Sequence, residues 1–194
     1  MKVCAAILTG GKNSRMNGKT KSLLDICNRS IIDMQIEILD DIFDKTIICG
    51  KGIKNKANYT VIEDEYQDIG PISGIYNAIK NSDTDYTFVF SSDLPFLNKN
   101  MIADMIKLLD ITKPEVLIPS HSNGLEPLHA IYHKSLAPKI EKQISEKNYK
   151  IRECFLNADT HKFIVNKNYN PEKSFFNVNT PQDIEKAILL CKTN

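Results

Sequence analysis

One junction near the start of the chain restricts its fold more than any other feature. The apolar run Val3-Cys4-Ala5-Ala6-Ile7-Leu8 stops abruptly at Thr9-Gly10-Gly11. A short, unbroken apolar run bounded by turn residues is the pattern of a strand buried on both faces, as in a parallel sheet. Adjacent glycines at the end of such a strand let the backbone approach a ligand closely and turn successive N–H groups into one concavity. Arg15 and Lys21 follow, a forked cation and a point cation, which together suit phosphate. A nucleotide-phosphate site at the strand end is the expectation, with Leu8, Thr9, Gly10 and Gly11 as its backbone.

Two other readings of the loop exist. A Gly-Gly pair after a strand also serves as a plain turn. The phosphate loop of ATPases and kinases, Gly-x-x-x-x-Gly-Lys-Ser/Thr, depends on spacing because its N–H groups must wrap one phosphate. Gly18-Lys19-Thr20 supplies the second half of that motif, but Asn13 stands where the first glycine is required.

Beyond the loop, short apolar runs alternate with helical periodicity, which predicts an α/β fold with a mostly parallel central sheet and helices on both faces. Strands are predicted at Lys2–Leu8, Lys45–Cys49, Tyr59–Ile62, Tyr86–Ser91 and Val116–Pro119, with weaker signals at Leu128–Tyr132, Phe163–Val165 and Phe175–Val178. A helix from Ser30 carries Ile32, Ile36, Leu39 and Phe43 on one face, with Ser30 and Asp33 placed as a capping box. Asn98 is the expected N-cap of a helix over 98–110, with Ile102, Met105, Ile106 and Leu109 buried. Further helices are expected at Pro71–Lys80, at Ser135–Lys147, and from Thr180 with Pro181 in its first turn. The polar segment Ser120–Glu126, with Asn123-Gly124 as a turn, is either a loop over the site or the tip of a hairpin.

With 194 residues and no repeat or composition break, a single domain over 1–194 is expected. Lys+Arg 25 against Asp+Glu 24 gives no surplus of positive charge for a nucleic acid. Five scattered cysteines without a Cys-x-x-Cys pair argue against a disulfide framework or a zinc knuckle and suit a reducing cytoplasm. No secretory leader is expected, since Lys2 precedes only a short strand, and no apolar run is long enough to span a bilayer. His129 and His133 are spaced like two ligands on one helical face, but Leu128–Tyr132 reads better as a strand and no Glu-x-x-His pattern lies nearby, so a zinc site is not expected.

The stretch Leu8-Thr9-Gly10-Gly11-Lys12-x-Ser14-Arg15-Met16, with Lys21 beyond it, resembles the N-terminal signature of the molybdopterin nucleotidyltransferases, the family that includes the molybdenum cofactor guanylyltransferases. Its Gly-Gly pair resembles the guanylyl branch, since related cytidylyltransferases usually carry Ala-Gly there. Asn17 and Thr20 depart from the family pattern. Further landmarks follow in order: Val61-Ile62-Glu63-Asp64, Gly70-Pro71-Ile72-Ser73-Gly74, a strand ending in Asp93-Leu94-Pro95, Pro127-Leu128-His129-Ala130, and Phe176-Asn177-Val178-Asn179-Thr180-Pro181.

The resemblance implies a Rossmann-like nucleotidyltransferase fold and GMP transfer from GTP to the terminal phosphate of molybdopterin. Lys21 and Arg15 would neutralise the triphosphate, and Asp93 would ligate a magnesium ion. Asp93 follows a predicted strand, at the edge where open α/β sheets hold their ligands, and magnesium typically takes one or two carboxylates plus substrate phosphates. Asp64 would meet the ribose or guanine; Gly70, Gly74, Asn177 and Asn179 would receive the second substrate. The family's guanylyl branch commonly has an asparagine after the second strand, where this chain has Cys49, or Gly50 and Lys51 just after it. Transient contacts with other cofactor-biosynthesis proteins or recipient molybdoenzymes are compatible with this reading, as is a monomer or weak homo-oligomer. Two alternatives stay open: the same chemistry with CTP or with a sugar or polyol phosphate, and a non-catalytic nucleotide-binding module.

Overall fold

The computed structural model of the chain describes residues 2–10, 15–16, 19–51, 53 and 59–192, with the backbone alone at 15, 16, 19 and 20. In chain order, β1 (Val3–Leu8) is followed by two small antiparallel ladders, β2 (Arg15–Met16) with β3 (Lys19–Thr20) and β4 (Asp25–Ile26) with β5 (Arg29–Ser30). Then come α1 (Ile31–Asp40), β6 (Thr46–Cys49), β7 (Thr60–Ile62), α2 (Pro71–Lys80), β8 (Tyr86–Ser91) and α3 (Lys99–Thr112). The second half runs β9 (Val116–His121), β10 (Gly124–Leu125), β11 (His129–His133), α4 (Ala137–Ser145), α5 (Ile151–Leu156), β12 (Thr160–Ile164), α6 (Pro171–Ser174) and α7 (Pro181–Lys192).

Among the described residues the main sheet has the order β10-β9-β11-β8-β1-β6-β7, with β12 pairing β9 in parallel. Strands β7, β6, β1 and β8 are mutually parallel, with Leu8 opposite both Cys49 and Ser91, and Cys49 opposite Ile62. Four chain segments therefore leave the sheet at the same, carboxyl edge.

Side chains alternate across β1 because successive Cβ atoms of a strand point to opposite faces. Ala5 and Ile7 join Phe88 and Phe90 of β8 and the buried stripes of α1 and α3 in one core. Cys4, Ala6 and Leu8 join α2 and α4 in the other. A third cluster of Leu24, Ile26, Ile31, Val178 and Ala187 docks α7 against the β4–β5 hairpin. Complete burial of such aliphatic and aromatic side chains contributes about 1.5–3 kcal/mol each.

The helix starts follow the capping chemistry legible in the sequence. Ser30 Oγ accepts from the Asp33 N–H, and Asn98 Oδ1 accepts from the Met101 N–H at 3.0 Å. Asp183 closes the box at α7, its Oδ2 accepting from the N–H groups of Asn179 and Thr180. Pro71–Lys80 is helical over the whole of its expected range.

Several expectations are corrected. Phe175–Val178 is not a strand: the backbone closes α6 and then crosses the sheet edge, and Val178 donates to the Asp93 carbonyl. Its alternation is real, but it reflects Val178 packing into the third cluster rather than sheet pairing. The weak strand at Phe163–Val165 lies earlier, at Thr160–Ile164. The helix expected at Ser135–Lys147 begins as a 3-10 turn over Lys134–Leu136. Ile106 is only half-buried, and α5 had no counterpart among the predicted elements. The polar segment 120–126 is a hairpin tip, with Gly124 opposite His121. That tight return makes β11 antiparallel to β9 and β8, while β12 pairs β9 in parallel, so the sheet is mixed with parallel pairing in the majority.

Candidate active site

The carboxyl edge of the parallel strands opens into a cavity of about 370 Å³, within the usual size of a small-molecule site. Its wall brings together Leu8, Gly10, Lys21, Asp64, Gly70, Gly74, Asp93 and Asn179, eight of the residues singled out from the sequence. They come from segments spread over nearly the whole chain. Parallel pairing explains the convergence, because β1, β7 and β8 deliver the residues that follow them to one edge.

Asp64 lies over the glycine loop. A Cβ on Gly10 would stand 2.5 Å from Asp64 Oδ2, so only glycine admits the carboxylate at this distance. Asn77, buried on α2, donates to Asp64 Oδ1 at 3.1 Å. Burial raises the Asp64 pKa above the ordinary carboxylate value, while the Asn77 hydrogen bond and the Lys51 charge oppose the rise. Desolvation dominates here because the charged form loses water on several sides.

Asp93 sits in the turn after β8. Ser91 Oγ donates to Asp93 Oδ1 at 2.6 Å, and the Asp93 carbonyl accepts from the Val178 N–H. Lys21 is buried, and its Nζ donates to Asn179 Oδ1 at 2.7 Å. Gly70 takes a φ of 86° as the N-cap of α2 and supplies no side chain to the first turn. The start of α2, with Pro71, borders the cavity and presents the positive end of a helix dipole to it. Gly74 packs under Leu8, where an added Cβ would meet Leu8 Cδ1 at 3.0 Å.

Other expected residues are not on the wall. Thr9 is buried, with its hydroxyl on the Cys49 carbonyl at 3.2 Å; it ties β1 to β6. Asn177 turns its amide onto the Phe175 carbonyl at 3.1 Å, bracing the bend before α7. Gly11 lies outside the described residues, and of Arg15 only the backbone, paired with Thr20, is described. His129 is wholly buried between Phe88, Phe90 and Phe175, and among the described residues it joins no group of three metal-ligating side chains.

Sequence reasoning missed Asp68, Ser91, Ser92 and Leu128 on the wall, and Gln35 and Asn77 behind it. The last two carried a readable signal, since each is an amide on an otherwise apolar helical stripe. Such a residue either finds buried polar partners or destabilises the helix packing.

An α/β sheet whose parallel strands converge on a pocket holding a buried lysine, three carboxylates and a helix start is the arrangement of a nucleotidyltransferase. The family model described as MobA-like NTP transferase domain matches residues 5–161, and the chain belongs to that family. It is 32% identical to a probable molybdenum cofactor guanylyltransferase of Natranaerobius thermophilus, over 95% of this chain and 94% of that one. A protein of the same description from Clostridium perfringens is 35% identical over 97% of each chain. The crystal structure of molybdopterin-guanine dinucleotide biosynthesis protein A from Archaeoglobus fulgidus superposes with a TM-score of 0.83 at 25% identity, covering 98% of this chain and 100% of that one. Among the described residues no helix is long and apolar enough to cross a membrane.

Proposed function

We propose that this chain, acting as one nucleotidyltransferase domain, transfers GMP from GTP to the terminal phosphate of molybdopterin and releases pyrophosphate. The observation that carries the reading is the convergence of Lys21, Asp64 and Asp93 on one cavity, in a chain similar over nearly its full length to relatives named for that transfer. The absence of a membrane-spanning helix among the described residues is compatible with action in the cytoplasm.

The acceptor phosphate carries its own nucleophilic oxygen. With a second pKa near about 6 it is ionised at neutral pH, so no protein base is needed. That oxygen bonds to the α-phosphorus as the bond to the bridging oxygen of the leaving pyrophosphate breaks. The protein's part is positioning and charge stabilisation. Lys21, with Arg15, neutralises the triphosphate and the charge growing on pyrophosphate. Asp64 binds the nucleoside over Gly10, while Gly70, Gly74 and Asn179 line the approach of the second substrate.

Magnesium fits these donors. Among the described residues no group of three metal-ligating side chains exists. Asp93 lines the cavity, its Oδ2 without a partner among the described residues. Magnesium held by one or two carboxylates and substrate phosphates needs no more. When bound, the ion would supply charge neutralisation at the phosphates.

One observation keeps CTP in the test. Cys49, where the guanylyl branch commonly has asparagine, is buried and offers the base no strong polar group. Pyrophosphate release should therefore be measured with GTP, CTP, ATP and UTP, each with and without molybdopterin and magnesium. Release with GTP only when molybdopterin and magnesium are present is the expected result. Release with CTP, or with no nucleotide, overturns the assignment.

A further inference from the structure

Gln35 is the one fully buried amide on α1, and it points into the back of the turn that carries Asp93. Its Nε2 donates to the Ser91 carbonyl at 2.7 Å and to the Leu94 carbonyl at 2.9 Å. One side chain thus holds both ends of the segment Ser91–Leu94, with Ser92 and Asp93 between. The turn is fixed on other sides by the Ser92 N–H on Leu8, the Leu94 N–H on Ser91 and the Val178 N–H on Asp93. Of these restraints, only Gln35 ties the turn to α1.

Helix α1 is also the element against which the 3-10 turn Lys21–Leu23 rests. It is pinned in the core by Ile31, Ile32 and Leu39, all fully buried. The path from Lys21 to Asp93 therefore runs through a buried helix and one amide that donates to two carbonyls. The cost of this device is visible: Gln35 Oε1 is buried without a partner. An unpartnered buried amide oxygen costs about 1–3 kcal/mol. A methionine would remove that cost only by taking the donor away from the Ser91 and Leu94 carbonyls, so what the amide supplies is the link from α1 to the turn.

We propose that Gln35 is a positioning residue for the transfer reaction, setting the turn so that the Asp93 carboxylate meets the metal and phosphates opposite Lys21. The inference rests on the proposed role of Asp93 as metal ligand. Groups that orient a metal-binding carboxylate typically change metal affinity or activity about 10–100-fold when removed, and a misplacement of about 1 Å at a reacting centre can cost about a hundredfold.

The test uses Gln35→Met, which matches the side chain in length but donates nothing. Gln35→Asn is the second variant, keeping an amide too short to reach both carbonyls. Three quantities are read in each: GTP affinity without metal, Mn2+ affinity of the complex with a non-hydrolysable GTP analogue by electron paramagnetic resonance, and kcat against KM. The expected result is unchanged metal-free GTP affinity, with Mn2+ affinity weakened about tenfold and kcat lowered by a similar factor. Mn2+ affinity and kcat within about twofold of the parent in both variants, with only thermal stability altered, would overturn the proposal. Asp93→Ala separates the two levels. If it leaves Mn2+ affinity and turnover intact, the metal-ligand reading itself fails, whatever Gln35 does.

Discussion

Lys21 and Asn179 stand 158 positions apart in the chain, yet Nζ of the first donates to Oδ1 of the second across 2.7 Å. The lysine belongs to the segment after the glycine loop, the asparagine to the turn before the last helix. Their contact joins the proposed nucleotide side of the cavity to the proposed acceptor side. A hydrogen bond to a charged group is worth about 1.5–3 kcal/mol, because the buried ammonium loses water on every side it does not share.

Asn179→Ala is accordingly expected to leave the fold intact and to weaken catalysis through Lys21. Steady-state kinetics should show kcat/KM down by about 10–100-fold, the rate equivalent of that bond energy. A variant with parental kinetics would mean the contact is structural.

Asp93→Ala should abolish turnover while its melting temperature stays close to that of the parent, since the carboxylate is held mainly by the Ser91 hydroxyl. Loss of about a hundredfold or more in pyrophosphate release is the expected scale for a group acting on transition-state charge.

Gly10→Ala sets a methyl group 2.5 Å from Asp64 Oδ2. Asp64 must move, so GTP affinity measured by calorimetry should fall by at least about tenfold, a cost of about 1.4 kcal/mol. The double variant with Asp64→Gly should fold normally, because the clash is gone, yet bind GTP no better.

His129 provides a pH signature of stability. Burial among three phenylalanine rings pushes its pKa down to about 3. The unfolded chain binds the proton near pH 6.5 and the folded one does not. Its contribution is thus complete above about pH 6.5 and is lost as pH falls from there toward 3. Denaturant unfolding at pH 7 and pH 5 should show the parent losing about 2 kcal/mol more than His129→Leu. Equal losses would mean the imidazole finds a proton acceptor within the fold.

The α3 cap gives a check on the fold itself. Asn98→Ala removes the acceptor for the Met101 N–H and should lower stability by about 1 kcal/mol, without changing the kinetics.

Much of this molecule was legible before any fold was known. The run Val3–Leu8 ending in two glycines, the apolar stripe of α1 and the caps at Ser30, Asn98 and Thr180 are local facts. Periodicity and capping act over a few residues and can be read directly from the chain. The same holds for the cavity residues next to strand ends, Gly10, Asp64 and Asp93, because a parallel sheet puts all such ends on one edge.

What local pattern could not decide is which polar groups face a ligand and which satisfy the protein. Thr9 and Asn177 are polar like Lys21 and Asn179, yet their donors are spent on the Cys49 and Phe175 carbonyls. Phe175–Val178 has the alternation of a strand but packs against α7, since burial on one side looks alike whichever partner supplies it. Gln35 reaches the Ser91 and Leu94 carbonyls, and Asn77 reaches Asp64, only through contacts that the fold creates. By itself the sequence determined most of the elements, their caps and the edge on which chemistry could gather, though α5 and the course of Phe175–Val178 lay beyond it. The tertiary structure alone decided the partners, because a buried donor must find its acceptor wherever packing brings one within reach.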